Sequence, residues 1–404
     1  MIFLLIKNEL IKILKRPKTW IVFGLFIIFM LVGMYGLYHE DKNMKKYNSP
    51  QYKLEQVEKS INYTEEEMSK IENSKDKEYL NTLKEDLKHY EEEKIKYENQ
   101  INNPSNVDQW KLDVTEEIKS HEENLKNKDI AEEDKTWISE RIDKLKYLEQ
   151  NNIKPLYGYE FNAYNYIDSV MAILGMVLLA VGISVFMSDI VSGECTPPTL
   201  KFLLVQPVSR GKILLSKFIA ITITVLTMII STEILTFLGL GAVKGFNAGT
   251  YPKTMGVRYF LDTSNMPAQR YPDLVRIANT GRIGNFNELI IRSLLLQIFF
   301  IITCCSIIFL ISTLFKSSNV TTAISIIITA SGTIVFQMFE FLSKFSHLVF
   351  LSYGSVTAVI TGDIAYMYKN VNITPINGVI VMILTTIISY TIAHIVFKKK
   401  EILI

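Results

Sequence analysis

Three ionisable side chains, Glu233, Arg292 and Glu340, fall within or at the edge of long apolar runs. An unpaired charge in hydrocarbon costs several kcal/mol, so each is expected to face the protein interior and find a partner. Arg292 with Glu233 or Glu340 is the natural pair, and direct contact with a transported molecule is the sharper alternative. No enzyme constellation accompanies them: paired carboxylates, a Ser–His set or metal ligands do not occur together within the apolar runs. His39, His89, His121, His347 and His394 are scattered, without HExxH or paired spacing, and no metal is expected. Cys195 lies in a short connection, and the adjacent Cys304 and Cys305 inside an apolar run read as helix filling rather than a redox pair. Gly211 and Lys212 have Gln206 five residues before the glycine, where a phosphate-cradling loop needs Gly. No cofactor is therefore expected in this chain, and any ATP with its Mg²⁺ belongs to a partner.

The most informative stretch is SGECTPPTLKFLLVQPVSRGKILLSK, Ser192 to Lys217. Glu194 precedes an apolar turn of Leu200, Phe202, Leu203 and Leu204, and a break at Pro207 precedes Arg210 and Lys212. Such a segment is suited to bury an apolar face in a partner's groove while charges at either end position it.

These residues need elements to hold them. The chain has 404 residues, 49% hydrophobic and 21% charged, and the two classes are segregated. Six apolar runs suit a hydrocarbon core of roughly 30 Å, which takes about 20 helical residues. They are Trp20 to Tyr38, Ile167 to Met187, Ile213 to Leu240, Leu289 to Phe315, Val320 to Phe341, and Ile376 to Phe397, spans one to six. Leu348 to Ile360 is too short to cross and is expected to re-enter or lie at the interface, within an outer segment 343–374. Span one lacks a small-x-small ending, so it is expected to stay as a helix rather than leave as a signal peptide. Residues 1–18 place Phe3, Ile6, Leu10, Ile13 and Leu14 opposite Asn8, Glu9, Lys12, Lys15 and Arg16, an amphipathic interfacial helix ended by Pro17. Lys217 should snorkel from the end of span three, and His394 should pack near the inner interface.

Basic flanks before span one, between spans two and three (Lys201, Arg210, Lys212), between four and five (Lys316) and at Lys398 to Lys400 put both termini in the cytoplasm. The connection 241–288 also carries six bases and argues the other way, but it is long enough for the rule to weaken. Residues 39 to 160 hold 21 Lys plus Arg against 30 Asp plus Glu, a net −9, leaving +11 on the rest. That acidic insert, 39–164, shows heptad seams at Leu54, Val57, Ile61, Met68 and Ile71, and at Leu80, Leu83, Leu87, Tyr90, Lys94, Tyr97 and Ile101. It is expected to form an extracellular coiled-coil-like helical hairpin, broken near Asn102 to Asn106. Its first helix, about 50 residues, would reach about 75 Å if Asn73, Ser74 and Lys75 do not bend it. A charged flexible linker is the alternative. The fold class is all-α: TM1 at 19–38, the insert, then a membrane domain 165–404 carrying the other five spans and a coupling segment, 189–212.

In this order the motifs resemble the type 2 ATP-binding-cassette (ABC) exporter permease family. The acid, small-residue–Thr pair, Leu-rich turn and Pro-x-x-Arg of that family correspond to Glu194, Pro198 with Thr199, Leu203 with Leu204, and Pro207 with Arg210. KNELIKILKRPKTW, Lys7 to Trp20, is similar to its interfacial connecting helix. Pro197 with Pro198 departs from the family's Gly before Thr, and the insert lies outside the resemblance. The resemblance implies two permease subunits, as a homodimer or heterodimer, and cytoplasmic ABC ATPase subunits docked on Glu194 to Arg210. The expected function is outward movement of an amphipathic peptide, antibiotic or lipid-linked compound across a cell membrane, the bacterial cytoplasmic membrane. Membrane lipid and an extracellular partner for the hairpin are further expected contacts; nucleic acid is not. The alternatives are an ATPase-coupled signalling or envelope-remodelling complex, and a membrane-anchored receptor or scaffold.

Overall fold

The computed structural model describes residues 2–71, 77–102, 109–127, 130, 132–194, 208–262 and 273–399. The amino-terminal helix, Ile2–Lys15, stops before Pro17, and its last carbonyls are taken by side chains: Thr19 Oγ1 donates to Ile13 O at 2.7 Å and Trp20 Nε1 to Leu14 O at 2.7 Å. Six helical segments are then long and apolar enough to cross a membrane: Pro17–Tyr47, Ala163–Glu194, Arg210–Lys244, Phe286–Leu314, Ser318–Met338 and Pro375–Lys399. Spans two, three and four are half or more buried, and spans one, five and six bury less than a quarter of their apolar stretches.

Small hydroxylated residues decide how the spans meet. Span five buries Thr321, Ser325, Thr329 and Thr333, one residue per turn, along one face. That face meets span two, where Ser184 Oγ lies 3.3 Å from Thr329 Oγ1 and Ser188 Oγ lies 2.6 Å from Thr322 Oγ1. Spans four and six join through Thr303 Oγ1, 3.2 Å from Met382 O and 3.1 Å from Thr386 Oγ1. Cys304 and Cys305 are free thiols, fully buried in span four.

Span two widens into one π-helical turn, Leu174–Leu178, where Gly175 meets the segment before span six. A Cβ on Gly175 would sit 2.2 Å from the Gly354 carbonyl oxygen, so only glycine permits the approach. That segment is a chain of short helices between Glu340 and Met367. Phe350, Tyr353, Val356, Val359 and Ile364 are buried, and none of these helices is long enough to cross.

The connection between spans three and four adds what the periodicity missed: four strands of four residues each. β1 (Pro252–Met255) pairs antiparallel with β4 (Arg282–Asn285), and β2 (Tyr259–Asp262) with β3 (Asp273–Arg276). Gly256 N and Val257 N donate to Ile360 O and Thr361 O at 2.9 and 2.8 Å, fastening this connection to the short helices. Gly362 takes φ 100° directly beneath Val257.

The chain divides into two compact units: residues 1–34, 130–140 and 162–404, and residues 35–129 and 141–161. The second is helical, but the single first helix expected from residue 50 to 101 is two, Pro50–Ile71 and Lys77–Asn102, which double back on one another. Glu58 meets Lys94 at 3.2 Å, Glu67 accepts from Tyr79 at 2.8 Å, and Lys53 lies 5.8 Å over the Tyr97 ring, an antiparallel register. Val57 and Leu83, from the two seams, are buried in this unit. Gln109–Asn124 and Glu132–Gln150 follow, joined by Arg141 to Glu117 at 2.7 Å and Lys146 to Glu122 at 2.7 Å. The first part of the insert is therefore an antiparallel helix pair rather than one long helix, with two further helices after it.

Candidate coupling site

Of the predicted coupling residues, Glu194 and Arg210 are described; Thr199, Leu203, Leu204 and Pro207 lie outside the described residues. Glu194 closes a 3₁₀ turn, Ser192–Glu194, at the end of span two and is 7% exposed. Val191 N and Ser192 N donate to Ser312 Oγ of span four at 3.1 and 3.2 Å, which fixes that turn. Arg210 opens the helix of span three and is exposed. Next to it, Gly211 leaves room for the ring of His394 from span six: a Cβ there would lie 2.6 Å from His394 Cε1.

Lys217 does not snorkel. It is 0% exposed, and its Nζ donates to Glu194 Oε1 at 2.6 Å and Glu9 Oε2 at 2.9 Å. Two carboxylates make its burial tolerable by supplying opposite charge and acceptors where water is absent. Glu9 is correspondingly misplaced by amphipathic reasoning: it is 4% exposed and turns inward with Ile13, one turn on, against span three. Lys12 completes the cluster, 3.2 Å from Glu9 and 3.9 Å from Glu194, while half-exposed. Burial pushes the Glu9 carboxyl up, but Lys217 first and then Lys12 outweigh it and hold it below the ordinary 4.5. A second tie lies alongside: Asp189, at the end of span two, meets Lys18 at 3.0 Å and Arg16 at 3.9 Å. The amino-terminal helix, the end of span two and the start of span three are thus locked together at the two ends of the connection 195–207.

The other predicted charges pair differently from expectation. Arg292 does not reach Glu233 or Glu340; it bonds Glu288 one turn earlier at 2.7 Å, and Arg282 joins the same carboxylate. The i,i+4 geometry of one helix decides this, and Arg292 is half-exposed. Glu340 faces Lys369 at 3.8 Å. Glu233 is buried and accepts from Gln297 Nε2 of span four at 2.8 Å. A neutral amide inside an apolar run gives no charge signal, so sequence reasoning overlooked Gln297. It also overlooked Lys253, which lies 3.9 Å over the Phe286 ring and 3.7 Å from Asp168. Burial pulls the Lys253 ammonium below its ordinary value, partly countered by Asp168.

Between spans one, two and three is a cavity of about 350 Å³ whose walls are apolar, among them Phe23, Phe26, Leu178, Phe186 and Met228.

No curated protein matches this chain. A family model described as ABC-2 family transporter protein matches residues 3–402, nearly the entire sequence and including the insert that the motifs alone left uncovered. With six helices long and apolar enough to cross a membrane and a buried charge cluster joining the ends of the second and third, this multi-pass membrane protein belongs to the ABC-2 transporter family, as the permease component of an ABC transporter.

Proposed function

We propose that this permease exports an amphipathic molecule, driven by a separate cytoplasmic ATPase that docks on residues 189–212 and supplies the bound ATP and Mg²⁺. The observation that carries the reading is Lys217, buried between Glu9 and Glu194. A connection anchored at both ends to three elements transmits a push to the spans, whereas a loosely tethered loop absorbs it. Glu194 belongs to the anchor in this reading, and Leu203 and Leu204 supply the docking surface with Arg210 at its edge. The apolar cavity beside span one supports a cargo with a hydrocarbon portion. Both termini lie in the cytoplasm in this scheme, the insert lies outside the cell where a further partner can meet it, and two permease subunits, identical or different, complete the assembly.

The test is copurification of the ATPase with the Leu203→Asp, Leu204→Asp double variant, together with ATPase rate and cargo movement in reconstituted membranes. Two charges in a groove built for leucine remove several kcal/mol of binding, enough to release the partner. Wild-type copurification and coupled hydrolysis in that variant would refute the docking assignment. Hydrolysis without cargo movement in the wild type would refute export.

A further inference from the structure

Glu233 has no compensating cation among the described residues. It is 1% exposed, in span three, and the bases nearest in sequence logic are committed elsewhere: Arg292 to Glu288, and Lys217 to Glu9 and Glu194. The groups that face it are Gln297 of span four and, as the one titratable neighbour, Tyr166 of span two, whose hydroxyl donates to Met30 O at 2.9 Å. No charged side chain of the amino-terminal helix, span four or span six acts on it.

The hydrogen-bond accounting around it does not close for an ionised carboxylate. Gln297 Nε2 donates to Glu233 Oε1 at 2.8 Å. Glu233 Oε2, Gln297 Oε1 and Ser293 Oγ are all buried and all without a partner. Ser293 and Gln297 stand one turn apart on the same face of span four, at 0% and 1% exposure. An ionised carboxylate only accepts, so it adds acceptors to a cluster already short of donors and leaves a bare charge among apolar helices. A carboxylic acid supplies the missing O–H and removes the charge.

We propose that Glu233 is a proton-binding site inside the membrane, occupied as the neutral acid, with Oε1 accepting from Gln297 Nε2 and the Oε2 hydroxyl available to the amide oxygen of the same Gln297. The ligand is a proton drawn from the aqueous phase. Because this acid joins spans three and four, any movement that parts them changes its surroundings from a shared polar cluster to lipid or water, and so changes whether the proton stays. The site is independent of the cargo and direction proposed above.

The experiment is infrared difference spectroscopy on the full chain in lipid nanodiscs at neutral pH, wild type against Glu233→Gln. The amide fills the same volume and offers both a donor and an acceptor, so the variant keeps the fold. The expected result is a protonated-carboxyl carbonyl band in the wild type that is lost in Glu233→Gln. In Gln297→Leu the band should persist at higher frequency, because the acid carbonyl no longer accepts from the amide. Loss of an ionised-carboxylate band instead, or a band unmoved in Gln297→Leu, would overturn the proposal.

Discussion

Replacing Lys217 by Met removes one charge and leaves two carboxylates facing each other where water does not reach. The Lys217 side chain is 0% exposed, and its partners are 6% and 9% exposed. Removing one member of a buried ion pair costs about 3–5 kcal/mol, most of it from the orphaned partner rather than from the lost attraction. Lys12 touches the same carboxylates but is 47% exposed, so Lys12→Ala should cost only about 0–1 kcal/mol. The contrast between two lysines on one cluster is the measurement: thermal unfolding of the purified full chain, with retention of the ATPase as a second readout. Restoring electrical balance tests the cause. Glu9→Gln and Glu194→Gln added to Lys217→Met remove every orphaned charge, and the triple variant should recover most of the lost stability. Lys217→Met melting within about 1 kcal/mol of wild type, or a triple variant no more stable than the single one, would refute an orphaned-charge penalty at this cluster.

The pH dependence follows from the depressed Glu9 carboxyl. Its contribution is fully present above the ordinary value of 4.5 and is lost as pH falls through the lower folded-state value, so wild type should be more stable than Glu9→Gln above pH 4.5, and the two should converge as acid protonates Glu9. Gly175→Ala drives a methyl into the Gly354 carbonyl, a backbone contact that cannot swing aside, and should cost about 1–3 kcal/mol by thermal unfolding, with Gly182→Ala, which meets nothing within 4 Å, as the silent control. In a cysteine-free background, Asn103→Cys should react with an impermeant thiol reagent in intact cells and Lys399→Cys should not; the reverse pattern would invert the proposed orientation.

The spans were legible because crossing a membrane demands about 20 consecutive apolar residues, a signal carried by each stretch alone. The amino-terminal helix Ile2–Lys15 was legible from its own periodicity, but its buried side was not. Glu9 reads as a surface residue until Lys217, 208 positions away, is placed against it. The strands went unseen because four residues hold barely two periods of alternation, and Lys253, Arg258, Arg276 and Arg282 made the connection look solvated. The reversal between Ile71 and Lys77 was hidden because both flanking helices continue a heptad pattern, and a heptad specifies a partner face without saying whether the partner lies in the same chain. Charge alone pairs Arg292 with Glu233 or Glu340, whereas Glu288 on its own helix is the partner within reach.

The threonine and serine stripe of span five has a mechanical meaning. Helices that interlock through large side chains resist translation, because each knob must leave its hole before the next can be entered. Here the seam against span two is built from small side chains, and three of its hydroxyls, those of Thr329, Ser184 and Thr322, carry a second partner on their own backbone. Thr329 Oγ1 donates to Ser325 O at 2.8 Å, Ser184 Oγ to Ala180 O at 2.9 Å, and Thr322 Oγ1 to Ser318 O at 3.0 Å. Parting Ser184 from Thr329 therefore strands neither hydroxyl, whereas Ser188 Oγ has no second partner among the described residues, so its 2.6 Å bond to Thr322 is the latch that shear of span five along span two must release.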